Sequence, residues 1–298
     1  MSKKQKNTVA TYGLMFLGAL LLLSGCAAPG SDPNTRMLSH AAKNSGGGAA
    51  QAEGVKLSYS LAAERLTLHE PVILNFTARN DSGQARSLDL GADYKANFLF
   101  TVKGPDGKTI RLQRLRKGGV SLPGQVTLEP GQSYTQKLLL NEWFEFAEPG
   151  AYEIAARLAA TQSDGNGSDK ASESPEFSAR LEVAPLDRGR LSQSCAALLK
   201  QIKGASSYSE AAEAALALSY VNDAVAIPFL EKALSSGKLV EPIVISGLER
   251  IDGQEAERVL VAAAEAGQDE DVKEMAKAAV ERLKMRKGVK PRPAPSAM

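Results

Sequence analysis

The feature that most constrains this chain is a change of hydrophobic period near residue 185. Before it, apolar residues recur every second position: Val72, Leu74, Phe76 and Ala78 alternate with Ile73, Asn75, Thr77 and Arg79 until Asn80-Asp81-Ser82-Gly83 breaks the run. Period two buries one face of a strand. After it, Ala, Leu, Glu and Lys dominate and the apolar positions fall at helical spacing. One chain therefore carries a strand-rich part followed by a helical part, giving a multidomain β + α class.

The strand-rich part runs over 55–186. Runs of period two are expected at 55–62, 72–79, 98–103, 109–115, 125–128, 133–140, 151–159 and 177–183. Gly104-Pro105-Asp106-Gly107 sets a hairpin between two of them, because Pro and Gly supply the backbone angles that a reversal needs. Seven to nine short strands in about 130 residues predict an antiparallel β-sandwich with an immunoglobulin-like plan. Thr127-Leu128-Glu129-Pro130-Gly131-Gln132-Ser133-Tyr134, then Phe146 and Pro149-Gly150-Ala151-Tyr152, form a further motif. With Asn75-Phe76-Thr77-Ala78-Arg79-Asn80 and the 104–108 hairpin, it resembles the bacterial family named for an intracellular proteinase inhibitor of bacilli. That resemblance implies an immunoglobulin-like fold and, as an alternative function, protease inhibition through the sandwich.

The helical part covers 187–287, with helices expected at 191–203, 209–221, 224–235, 241–251, 254–266 and 269–286. Gly204, Asn222-Asp223, Gly237, Asp252-Gly253 and Gly267 separate them, and Ser209 and Asp269 are candidate N-caps. A repeat is present. Ala215, Leu218, Val221, Ala226, Leu230, Ala233 and Gly237 recur thirty positions later as Ile245, Leu248, Ile251, Ala256, Leu260, Ala263 and Gly267. Ile245 and Leu248 recur once more as Val280 and Leu283. With Pro228 in a second helix, the pattern resembles HEAT-like helical repeats, which implies a stacked array exposing a protein-binding face.

The start of the chain addresses it to an envelope. Lys3, Lys4 and Lys6 precede an apolar run over 14–23, too short to span a bilayer comfortably. The run ends in Leu23-Ser24-Gly25-Cys26, which resembles the lipobox of bacterial lipoproteins. By that resemblance residues 1–25 are a signal peptide cleaved between Gly25 and Cys26. Cys26 would then carry lipid that anchors the protein to a membrane. Ala27, where an aspartate would imply inner-membrane retention, favours the outer membrane facing the periplasm. Loss of residues 1–25 takes the formal charge from +2 to −1, so nothing recommends nucleic acid as a partner. Residues 26–54, rich in Ala, Gly, Ser and Asn, read as a flexible tether, and 288–298 as a disordered basic tail.

Chemistry-bearing residues are few. The only histidines are His40 and His69, no HExxH, GxSxG, P-loop or GxGxxG motif occurs, and no nucleophile–base pair is visible. No catalytic residue is assigned, and a carboxylate-based hydrolase is the less favoured alternative. Once Cys26 is acylated, Cys195 stands alone and reads as a small buried hydrophobe. The 164–169 loop offers oxygen ligands. It has Asp169 and Pro175 where a calcium loop needs Gly and Glu, so no metal or other cofactor is expected. Trp143 and Phe144, with Phe146, form an aromatic cluster, and Arg111, Arg114 and Arg116 a basic run. Trp143, Phe144 and the three arginines are the candidate partner contacts, core packing and a solvated strand face being the plainer readings. The chain is expected to be a lipid-anchored scaffold whose helical repeats contact an unidentified envelope protein.

Overall fold

A computed structural model describes residues 51–288 except 53, 91–93, 113–123, 165–167, 174–175, 238, 252 and 268. It is a β + α structure: twelve strands precede six helices among the described residues. Strands β1 (Gln51–Ala52), β2 (Val55–Leu61), β4 (Ile73–Asn80) and β9 (Ser133–Leu139) form one sheet in the order β1-β2-β4-β9. The other sheet runs from β3 (Arg65–Thr67) through β12 (Phe177–Ala184), β10 (Gly150–Asp164) and β5 (Arg86–Asp89) to β8 (Gln125–Leu128). Beside β10 lie β6 (Phe98–Lys103), which carries β7 (Thr109–Leu112), and β11 (Ser168–Glu173). Among the described residues only the short β3–β12 pairing is parallel, so the second sheet is mixed.

The alternation on β4 has the expected consequence. Val72, Leu74, Phe76 and Ala78 are buried, while Arg79 on the other face is exposed. Phe76 meets Phe98 of the other sheet edge-on at 5.1 Å, and Tyr59 of β2 lies 5.6 Å from Phe177 of β12, so both sheets supply one core. The turn after β4 is pinned by Asn80, whose buried Nδ2 donates to Gln84 O (2.7 Å) and Leu128 O (2.8 Å). Its Oδ1 accepts from Ser82 N at 2.9 Å. At the β6–β7 hairpin the expected Gly-Pro turn abuts the Pro149-Gly150 corner. A Cβ on Gly150, where φ is +146°, would lie 2.6 Å from Pro105 Cγ, so only glycine fits there.

Four strands lie where none is expected. β1, β3 and β5 are too short for alternation to register. β11 closes a hairpin on β10, with Asp164 opposite Ser168, so the ends of the 164–169 loop are strand.

The helices are α1 (Arg188–Gly204), α2 (Tyr208–Ser219), α3 (Ile227–Leu234), α4 (Glu241–Arg250), α5 (Gln254–Ala266) and α6 (Glu270–Gly288). Each lies within three residues of its expected bounds, and a 3-10 turn over Ala224–Ala226 leads into α3. Asp187 and Ser207 cap α1 and α2 by accepting from Arg190 N (3.1 Å) and Glu210 N (3.3 Å). The α2 cap is therefore Ser207, not Ser209. The Glu210 carboxylate reaches back to Ser206 N at 2.9 Å, and this reciprocal pairing starts the helix ahead of its expected first residue.

Polar contacts link alternate helices. Arg188 at the start of α1 meets Asp223 just before α3 at 3.6 Å, and Glu231 of α3 meets Arg258 of α5 at 3.5 Å. Arg250 at the end of α4 donates to Ser219 O at the end of α2 (2.9 Å), and Arg282 of α6 meets Glu249 of α4 at 2.8 Å. The repeated positions Ala215, Leu218, Val221, Ala226, Leu230 and Ala233 are buried, as are their partners Ile245, Leu248, Ile251, Ala256, Leu260, Val280 and Leu283. Ala263 packs partly buried against the same core.

The helical core also receives Leu139 from β9 and, partly buried, Ile73 from β4. At this junction the Glu70 carboxylate, 6% exposed, accepts from Thr67 N (2.6 Å), pairs with Arg190 Nε (3.0 Å) and accepts from Ser194 Oγ. Thr67 Oγ1 donates to Pro185 O and accepts from Asp187 N, both at 2.7 Å. A buried carboxylate is costly unless several donors meet it, and these do.

Candidate functional site

Away from the Glu70 junction, α1 and α3 bring their C-terminal halves together. Ala196, Leu199, Lys200 and Lys203 share one face of α1 at helical spacing. From α3 come half-buried Phe229 and exposed Lys232. Together they line a shallow depression open to solvent, apolar along its floor and lysine at its rim.

The charges around it differ from those elsewhere in the helices. Arg188, Arg190, Arg258, Lys273, Lys277, Arg282, Lys284 and Arg286 each meet a carboxylate. Arg250 donates to Ser219 and stacks on Tyr220 with its guanidinium 3.9 Å from the ring centre. Among the described helical residues whose side chains are placed, Lys200, Lys203 and Lys232 are the cations that make no ion pair or hydrogen bond. Lysines in a last turn complement the helix carbonyls, which accounts for Lys203 and Lys232. It does not account for three of them converging without a carboxylate.

Two exposed apolar side chains lie a few residues beyond the ends of α1 and α3. Tyr208, 59% exposed, opens α2, and Leu239, 73% exposed, lies in the α3–α4 connection. Leu239 has φ +57°, a left-handed conformation that costs a branched side chain about 1–2 kcal/mol.

The junction around Glu70 is polar but chemically committed. Its carboxylate already accepts from three groups, and Ser194 donates to it, so no free base faces a free nucleophile. Cys195, the next residue, is buried. Desolvation, with smaller contributions from Asp223 and Glu70, pushes its thiol up to about 12, far from the thiolate that reactivity needs. Among the described residues, no three His, Cys, Asp or Glu side chains gather as metal ligands.

Of the candidate site residues singled out from sequence, Trp143, Phe144 and Arg111 are described. Trp143 packs partly buried on the β core, edge-on to Phe100 at 5.0 Å. Phe144 sits against Phe146 (4.9 Å) and Tyr152 (6.1 Å) in the same core. Arg111 is exposed on β7. Gly25, Cys26, Arg114 and Arg116 lie outside the described residues, as do nearly all of the expected tail and tether. Among the described residues no helix is long and apolar enough to cross a membrane. Nothing in the sequence marks the lysine-rimmed depression: Lys200, Lys203 and Lys232 look like any solvated helix lysines until the partners of the others are known.

No family model and no curated protein matches the chain. Solved structures similar to part of it include a β-glucosidase from Listeria innocua in complex with isofagomine. It is 14% identical over 44% of this chain and 16% of that chain, with a TM-score of 0.25. Another is the sporulation control protein Spo0M from Bacillus subtilis, 12% identical over 49% and 55%, TM-score 0.24. A third is a CARDB domain from Pyrococcus furiosus in complex with di-metal ions, 12% identical over 44% and 90%, TM-score 0.24. At these scores none assigns an activity or a partner to this chain.

Proposed function

We propose that the chain is a lipid-anchored scaffold of a bacterial cell envelope, held to the outer membrane through lipid on Cys26, with its helical array turned to a partner protein. The observation that carries this reading is the open, uncompensated lysine and apolar edge of that array. The aromatic cluster of the β part is taken up in its own core. The burial of most of the positions that recur at thirty residues supports a HEAT-like array. An immunoglobulin-like sandwich is supported by the core shared between two mainly antiparallel sheets. It is further supported by Tyr152, whose hydroxyl donates to Glu148 O four residues upstream at 2.7 Å, in the manner of a tyrosine corner.

Two measurements test the reading on the full chain in intact cells. The mass of the mature N-terminus should correspond to an acylated Cys26, and C26A should leave the precursor uncleaved. Photocrosslinkers at Gln193, Glu265 and Lys277 on the helices, and at Lys56 and Arg111 on the strands, should give protein adducts chiefly from the helical positions. Adducts confined to the strands would transfer the function to the sandwich, where inhibition of a protease becomes the reading to test.

A further inference from the structure

We propose that the depression between α1 and α3 docks an acidic amphipathic segment of the partner protein. Its carboxylates would meet Lys200, Lys203 and Lys232, and its apolar face would seat on Ala196, Leu199 and Phe229. The proposal rests on the protein-binding reading above and deepens it to the chemistry of the partner.

Charge complementarity selects this occupant. Among the described helical residues whose side chains are placed, these three lysines are the cations left without an acceptor, while Arg188, Arg258 and Arg282 each meet a carboxylate. Lys200 and Lys203 stand three apart on one helix face, the spacing at which an opposing helix presents Glu at successive turns. Between the lysines the floor is apolar, which asks for a large hydrophobic side chain rather than a second charge. A small ligand fits poorly, since the depression is open and such ligands need most of their surface covered. An anionic membrane surface fits poorly too: a flat leaflet meets the lysine heads but does not enter a recess between two helices.

The test uses the full-length protein in intact cells, with p-benzoylphenylalanine at position 196 and identification of the crosslinked peptide by mass spectrometry. The expected adduct is a protein segment of net negative charge with apolar residues at helical spacing. Exposed ion pairs each give roughly a twofold change, so K200E/K203E/K232E should reduce the adduct about tenfold, while K200R/K203R/K232R retains it. All six substitutions are at exposed positions, and unchanged melting verifies that the variants fold. An adduct to lipid, an adduct to a neutral or basic segment, or a yield indifferent to charge reversal would overturn the proposal. If position 196 gives nothing while Gln193, Glu265 or Lys277 captures protein, the docking site is wrong and the protein-binding reading stands. If no helical position captures protein, both fall.

Discussion

Gly247→Ala should destabilise the array even though alanine is the better helix former. Gly247 lies in α4 where it crosses α2, and a Cβ there would stand 2.7 Å from Ser219 Cβ, 2.8 Å from Ser219 Cα and 3.3 Å from Leu230 Cδ2. Replacing glycine by alanine inside a helix is worth about 1 kcal/mol in propensity. Overpacking a close core contact costs about 1–3 kcal/mol, and the upper half of that range applies because one clashing atom is backbone. The helices cannot part freely, since Arg250 holds Ser219 O at 2.9 Å and stacks on Tyr220. The net loss is about 1–2 kcal/mol, a fall in Tm of roughly 2–8 °C for a folded unit of this size. Ser219→Gly on that background should recover only part, because the clash with the Ser219 backbone remains. Gly204→Ala is the control: nothing lies within 4 Å of its added Cβ, so it should raise stability by about 0.4–1 kcal/mol. Urea unfolding followed by circular dichroism at 222 nm reads both. Equal or greater stability for Gly247→Ala would refute the close approach of α4 to the end of α2.

Glu70→Ala should cost about 2–4 kcal/mol, because Thr67 N–H and Ser194 lose a buried acceptor, whereas Arg190→Ala should cost about 1–2 kcal/mol, since the pair is solvent-screened on the arginine side and Glu70 keeps Thr67 N–H and Ser194 as donors. A denaturation double-mutant cycle should show less than additive losses, and additivity would deny the junction. The Arg282 hydrogen bond holds the Glu249 carboxyl below its usual value of 4.5. Its contribution to stability is therefore complete above that pH and is lost as pH falls through the lower folded value. Glu249→Gln should remove that part of the acid limb in a pH series of unfolding curves, and an unchanged limb would contradict the pairing. Cys195, raised to about 12 by burial, should resist a disulfide reagent at pH 8 in the folded protein and react once urea unfolds it. Rapid labelling of the native state would place the thiol at the surface.

Much of the architecture is legible in the sequence because it is local. The period-two run on β4 and the helical spacing after residue 185 report burial directly, and the thirty-residue recurrence marks positions that the array buries alike. What escapes depends on residues distant in sequence. β3 pairs with β12 across more than a hundred residues, and Glu70 finds Arg190 and Ser194 at a similar remove. Ser209 resembles a cap, but Glu210 reaching back to Ser206 shifts the start of α2. The candidate docking depression is the extreme case. Its lysines differ from their neighbours only in lacking carboxylate partners, a property of three-dimensional pairing that no spacing rule encodes. The aromatic residues Trp143 and Phe144 illustrate the converse, since their prominence in sequence reflects a β core that needs large side chains.

The most direct test of a helical contact surface is hydrogen–deuterium exchange on the full chain, alone and bound to the crosslink-identified partner. Peptides covering 196–204 and 229–235 should exchange more slowly in the complex, with 98–112 of the strand part unchanged. Protection confined to the β6–β7 hairpin, with none on α1 or α3, would contradict a helical contact surface.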